Sequence, residues 1–345
     1  MKAIIKKKAG YGAEFEKNIP IPEPGPKEVL VKIKATAICG TDIHIYDWSE
    51  WAQGAGIKFP LVMGHEFSGE VIEVGNQVEE SEIGDYIAAE THISCGRCFQ
   101  CKNGLPHICK NLKAIGFHIP GCFAEYITIP EKCARKIPST ISPEIGAILE
   151  PLGPALRACM ELQLTGDTVA IIGCGPIGLF ALASAKVMGA SKIIALDVME
   201  ERLKLAEKMG ANFILNPKKG VDIFAEIMNI TDGLGVDACI EASGSVEAIN
   251  LGFKYLRKGG KVALVGLPSK KLMIDLIPDV VFKEAKIIGI HGRELFETWT
   301  KMENMIKNGV LNIAPVITHT MPLEKYKEAF ELLKEGRGCK IILIP

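Results

Sequence analysis

The chain has 345 residues, 48% of them hydrophobic and 23% charged, and its formal net charge is −1. That length suits two domains with sizeable cores, and a near-neutral chain without a basic block or acidic tail is not built to recruit nucleic acid or a membrane surface by bulk charge. No apolar run reaches the roughly 18 residues of a membrane span, and the opening MKAIIKKKAGYGAEF lacks a signal-peptide core. Eleven cysteines, an odd number, then point to thiols and metal ligands in a reducing, cytoplasmic setting rather than to a disulfide framework.

Along the chain, the first 150 residues are predicted to be mainly β. Residues 28–35 (EVLVKIKA) alternate apolar and polar side chains, as a half-buried strand does, and residues 67–74 and 85–89 do the same. Gly75, Asn76 and Gly84 mark turns between them, and few helical periods occur before Ser142. The first strand runs into Cys39-Gly40-Thr41-Asp42-Ile43-His44, and Gly64-His65-Glu66 stands before the next. A thiolate, an imidazole and a carboxylate suit a mixed zinc site with one position left open. No local spacing joins Cys39 to His65, however, and without other context either alone reads better as a buried core residue. Further on, Cys95, Cys98, Cys101 and Cys109 form C-x2-C-x2-C-x7-C, with Gly96 and Gly104 as turn formers. Four thiolates in so short a span can wrap one tetrahedral ion. The x7 spacing and Lys110 after the last cysteine fit zinc better than an iron–sulfur cluster, which calls for x3 and proline. This site offers no open position and is expected to be structural, with His107 a bystander.

Near residue 150 the pattern changes. Residues 168–173 read as an apolar strand, 176–188 as a helix with proline in its first turn, 192–197 as a strand, and 200–209 as a helix ended by Gly210. Residues 213–215, 236–240, 261–266 and 286–290 supply four more strands, followed by a helix at 297–308 and a closing strand at 340–344. Continuous apolar strands alternating with helices imply a doubly wound parallel sheet of the dinucleotide-binding type. Gly173, Gly175 and Gly178 form G-x-G-x-x-G between a strand and a helix, the context that gives the motif meaning. Asp197 ends the next strand, where an acid accepts the ribose hydroxyls and repels a 2′-phosphate, so NAD is favoured over NADP. Arg202 could line the adenine or simply be a solvated helix charge. Cys122, Cys133, Cys159, Cys239 and Cys339 read as small buried apolar residues, and Cys174 as packing in the glycine loop.

The order of these features resembles the zinc-containing medium-chain dehydrogenase family over nearly the whole length. Its G-H-E pattern stands at Gly64-His65-Glu66, with Gly69 and Val74-Gly75 after it. Within that family the chain is most similar to members that oxidise L-threonine at its 3-hydroxyl. That likeness is carried by residues 39–53 (CGTDIHIYDWSEWAQ), Glu90-Thr91-His92-Ile93, Gly292-Arg293, Glu297-Thr298-Trp299 and residues 311–319 (LNIAPVITH).

The resemblance implies a GroES-like, mainly β catalytic domain over 1–152, a Rossmann coenzyme domain over 153–291, and a return to the first domain over 292–345. It implies two zinc ions per chain. One is catalytic, held by Cys39, His65 and a carboxylate, either Glu66 or Glu150; the other is structural. Thr41 and His44 match a proton relay, and His92 a residue beside the substrate. Ile177, Val265, Gly266, Leu267, Ile290 and His291 join the coenzyme contacts, with Arg293 serving substrate or coenzyme. The site is expected in a cleft between the domains, and the assembly to be a homotetramer. Two positions depart from the threonine-oxidising pattern: Pro154 stands where asparagine is usual, and Arg157 where a small residue or histidine is common. They keep oxidation of a polyol, diol or sugar open as the alternative, with a non-catalytic relative behind it.

Overall fold

In the computed structural model, which describes residues 1–268 and 270–345, the alternating segment at 28–35 is the strand Glu28–Ala37. Val29, Val31, Ile33, Ala35 and Ala37 are buried on one face; on the other Lys32 is exposed, while Leu30 and Thr36 are covered as well. It pairs antiparallel with Glu66–Val74, Ala37 opposite Glu66, and with the C-terminal strand Lys340–Ile344, Ala37 opposite Ile342. This register brings Glu66, Lys340 and the residues just after Ala37 to one end of the sheet. Its core includes Val29, Val31, Phe67, Val71, Phe123 and Phe330.

The β-rich half contains helices that the periodicity does not announce: Gly40–Asp47, Glu50–Gly54 and the single turn Phe99–Lys102. Gly40–Asp47 lacks an apolar stripe and is held instead at its ends. The Cys39 N–H donates to Asp42 Oδ2 at 2.8 Å at the N-terminus. At the other end the buried Lys6 ammonium donates to the carbonyls of Gly10, of Gly12 at 2.8 Å and of Tyr46 at 3.0 Å. The helix Leu149–Leu162 is also unannounced, because Gly153 and Pro154 interrupt its pattern. Burial of Leu149, Leu152, Leu156, Cys159 and Leu162, each 0% exposed, outweighs that local cost.

The expected doubly wound sheet is present. Six parallel strands stand in the order Phe213–Leu215, Lys192–Leu196, Thr168–Ile172, Val236–Glu241, Leu256–Leu264, Lys286–Gly289. Numbered by sequence this is 3-2-1-4-5-6, with the change of direction beside Thr168–Ile172. The chain divides into two units, Met1–Pro151 with Ile317–Pro345, and Leu152–Val316. The return to the first unit therefore falls at Ile317, later than the expected 292. The helix Glu297–Lys307 belongs to the second unit, where its wholly buried Trp299 lies under Arg293, 5.8 Å from ring centroid to guanidinium. Among the described residues no helix is long and apolar enough to cross a membrane.

Candidate active site and metal centres

The four cysteines of the 95–109 lobe place their sulfurs within 4.8 Å of one another. Cys98 Sγ lies 3.5 Å from Cys101 Sγ and 3.7 Å from Cys109 Sγ. A disulfide would bring two sulfurs to about 2.05 Å. The edge of a tetrahedron with zinc–sulfur bonds of about 2.3 Å is about 3.8 Å, so the spacing fits a four-thiolate zinc site. The N–H groups of Cys95 and Asn111 each donate to Cys109 Sγ at 3.3 Å. The Arg97 backbone and the Asn111 amide bring the Cys95 thiol down to about 6, towards the thiolate a metal needs. His107 is buried but lies outside this group.

Cys39, His65 and Glu66 form a second group, their ligand atoms also within 4.8 Å of one another. Glu150, the other candidate carboxylate, is buried but not in that group, although its charge helps to raise the Glu66 carboxyl. Cys39 precedes the helix Gly40–Asp47, and His65 and Glu66 stand where Glu66–Val74 begins. Asp42 is wholly buried, with Oδ1 3.5 Å from His65 Nδ1, the side of the ring that faces away from a metal when Nε2 is the ligand. Burial by itself lowers the His65 pKa; the negative charges of Asp42 and Cys39 outweigh it and hold the imidazole well above its ordinary value. Burial also pushes the Glu66 carboxyl up, against the pull of Lys340, whose ammonium lies 2.7 and 2.6 Å from its two oxygens. A soft thiolate, an imidazole and a carboxylate in so negative a pocket fit zinc, with room for a fourth ligand.

Thr41 is partly buried and His44 exposed on the helix after Cys39, with the His44 ring 5.8 Å from Trp51. His92 is half-buried on the short strand His92–Ile93, and its backbone N–H donates to Glu90 Oε1 at 2.6 Å. Asp42 and Glu90 lie inside segments that carry the family likeness, but neither these two nor Lys340 is given a role of its own there. Their importance comes from strand register and buried charge, which the linear pattern does not display.

In the second unit a cavity of ≈ 540 Å³ opens at the carboxyl ends of the parallel strands. Of the expected coenzyme residues it takes in Gly173, Gly175, Asp197 and Arg202. A Cβ at Gly178 would strike the Gly173 carbonyl, so that glycine is required by helix–loop packing; Gly173 itself has φ +90° and abuts Ser243. A Cβ at Gly175 would meet nothing within 4 Å, and it borders the cavity, a cradle that a bound pyrophosphate fills. The helix Pro176–Val187 has no side chain capping its N-terminus, which leaves that end to an anion. Asp197 accepts the Cys174 N–H at 2.7 Å and the Met199 N–H at 2.8 Å, and Arg202 lies 4.0 Å from it. Ile177, Val265, Gly266, Leu267, Ile290 and His291 do not line this cavity. Lys218, Ala242, Ser243, Leu251 and Tyr255 do, and only the rule that ligands sit at strand carboxyl ends could have pointed to Ala242 and Ser243.

Residues 176–308 match the family model for zinc-binding dehydrogenases, and residues 25–139 match the alcohol dehydrogenase GroES-like domain. The chain is 44% identical over 345 residues to an L-threonine 3-dehydrogenase of Pyrococcus horikoshii, covering 100% of this chain and 98% of that protein. It is 45% identical over 345 residues to an L-threonine 3-dehydrogenase of Bacillus subtilis, covering 100% of this chain and 99% of the relative. It is also similar to the crystal structure of a short chain alcohol dehydrogenase from Escherichia coli CFT073 complexed with NADH, with a TM-score of 0.91, 28% identity, and coverage of 100% of this chain and 99% of that one. The two family domains follow each other in the order of the metal groups and the glycine loop, and the identity runs the whole length. The chain therefore belongs to the zinc-dependent medium-chain alcohol dehydrogenase family and is a nicotinamide-linked oxidoreductase.

Proposed function

We propose that this enzyme oxidises L-threonine at its 3-hydroxyl to 2-amino-3-ketobutyrate, reducing NAD and releasing one proton. The observation that carries this reading is whole-length identity of 44% and 45% to proteins named for that reaction. Zinc bound by Cys39, His65 and Glu66 supplies Lewis-acid polarisation of the substrate hydroxyl, and the dinucleotide supplies the hydride acceptor. Thr41 takes the hydroxyl proton through its own oxygen, and His44, exposed on the same helix, passes it to solvent. Asp42 orients His65 and Lys340 balances Glu66, so the buried ligand charges are compensated. His92 and Glu150 stand with the substrate's charged groups. Asp197 favours NAD, because a 2′-phosphate would meet a fixed carboxylate.

The lobe cysteines hold a second, structural zinc. The enzyme is a cytoplasmic homotetramer. Self-association is supported by Met273, Leu276, Ile277, Val281 and Phe282, large apolar side chains exposed in the stretch before the edge strand Lys286–Gly289. The direct test is product analysis: L-threonine with NAD yields one equivalent of NADH together with 2-amino-3-ketobutyrate or the aminoacetone left when this β-keto acid loses CO2. NADH formation with neither product, or no NADH at all, overturns the assignment.

A further inference from the structure

The strand Val236–Glu241 ends on a buried acid: Glu241 is 1% exposed. Ala242, Ser243 and Ser245 line the cavity at the strand carboxyl ends, and Glu241 does not. Its side chain turns to its own loop instead. Oε1 accepts the Ser243 N–H at 2.8 Å, the Gly244 N–H at 3.1 Å and the Ser243 hydroxyl. Ser243 Oγ in turn accepts the Ser245 N–H at 3.1 Å, and Ser245 caps the helix Val246–Tyr255 by accepting the Ala248 N–H at 3.3 Å.

The loop so held is wedged between two glycines that leave no room for a side chain. A Cβ at Gly173 would come within 2.8 Å of both the N and the Cβ of Ser243. A Cβ at Gly266 would come within 2.3 Å of the Gly244 N and 2.5 Å of Glu241 Oε2. The Glu241 carbonyl also accepts the N–H groups of Val265 and Gly266, each at 2.9 Å. Burial pushes the Glu241 carboxyl up, against the pull of its Ser243 and Gly244 donors. A buried carboxylate is costly unless its lone pairs are filled, and here the donors that fill them are the backbone of a cavity wall.

We propose that Glu241 is a positioning residue for the coenzyme: it sets the backbone of Ala242–Ser245, one wall of the cavity, against the glycine loop at Gly173, without touching the dinucleotide itself. This rests on the reading that the dinucleotide fills the cavity at the strand carboxyl ends, and not on the identity of the alcohol. What the loop requires is an acceptor oxygen at the reach of a glutamate side chain.

The experiment measures NADH affinity by fluorescence titration without alcohol, together with melting temperature and steady-state constants for NAD. The proteins are the unmodified enzyme, Glu241→Ala, Glu241→Asp and Glu241→Gln, with Gly175→Val as the control for the cavity. Loss of hydrogen bonds to a charged acceptor predicts about tenfold weaker NADH binding in Glu241→Ala, a loss that falls on KM for NAD more than on kcat. Glu241→Asp keeps the charge but draws the acceptor back by one methylene, so it loses affinity too, whereas Glu241→Gln keeps an acceptor oxygen in place and recovers most of it. A residue that only stabilises the fold would lower the melting temperature and leave NADH affinity as it was, and that result overturns the proposal. Should Glu241→Ala fail to fold, Glu241→Asp and Glu241→Gln carry the test with the same readouts. Gly175→Val fills a cradle where a Cβ meets nothing within 4 Å, so it should weaken NADH binding as well. If it does not, the dinucleotide lies elsewhere and the proposal falls with the cavity reading; if it does while the Glu241 variants bind normally, the proposal alone falls. Because no alcohol is present in the titration, failure of the threonine assignment remains distinct from both.

Discussion

Asp197 is held by two backbone N–H groups, one to each carboxylate oxygen, so its charge cannot swing away from an incoming phosphate. Arg202 and Lys218 border the same cavity and become available to a 2′-phosphate once the carboxylate is gone. Asp197→Ser is therefore expected to narrow the NAD-to-NADP ratio of kcat/KM by at least about tenfold, the worth of roughly 1.4 kcal/mol. Steady-state kinetics with both coenzymes check this, and an unmodified enzyme that already prefers NADP contradicts the role given to Asp197. His44 makes a different demand. As a relay it acts on a proton that leaves only as the alcohol reacts, so His44→Ala should lower turnover by on the order of 10²-fold while NAD binding holds. Hydroxide can replace the relay, so the deficit should shrink as pH rises. A deficit that stays constant across the pH profile would make His44 a packing residue.

The helix Gly40–Asp47 carries Thr41 and His44, and its C-terminal end is fastened by Lys6, which is 1% exposed. Burial lowers the Lys6 ammonium to about 8, with the Asp47 charge opposing. Its folded value lies below the unfolded one near 10.4, so the unfolded chain binds more protons between those values and the folded state gains as pH rises through them. The melting temperature of the unmodified enzyme should therefore rise relative to Lys6→Met between pH 8 and 10. Parallel melting curves at every pH would contradict it. This helix also shows where sequence stops being informative. The glycine loop, the parallel strands and the lobe cysteines are local patterns, and the structure has them where periodicity and spacing put them. Gly40–Asp47 depends on Asp42 at one end and Lys6 at the other, with no stripe to betray it. Likewise, Lys340 meets Glu66 only through the pairing of Glu28–Ala37 with both Glu66–Val74 and the C-terminal strand Lys340–Ile344, a register that no window of residues contains. Only the resemblance joined Cys39 to His65 in advance.

At the scale of the whole molecule, the two metal groups differ in what surrounds them. The lobe offers four thiolates and no vacancy in a tetrahedron, whereas Cys39, His65 and Glu66 leave one position for substrate. Elemental analysis should find two zinc ions per chain. Mild chelation should remove one together with the activity and leave the other; loss of both in step, or iron with sulfide, would contradict this assignment. The central claim concerns the substrate. A site that pairs buried charge with an ammonium and a carboxylate should reject alcohols lacking them by up to roughly 10⁴-fold, because its own groups then go unpaired. The direct measurement is kcat/KM with NAD for L-threonine, 2,3-butanediol, sorbitol and 2-butanol. L-threonine is predicted to exceed every other alcohol, and 2-butanol by the widest margin, since it keeps the hydroxyl and loses both charges. A diol or sugar that surpasses L-threonine by about tenfold or more would contradict the threonine assignment and leave only the zinc dehydrogenase.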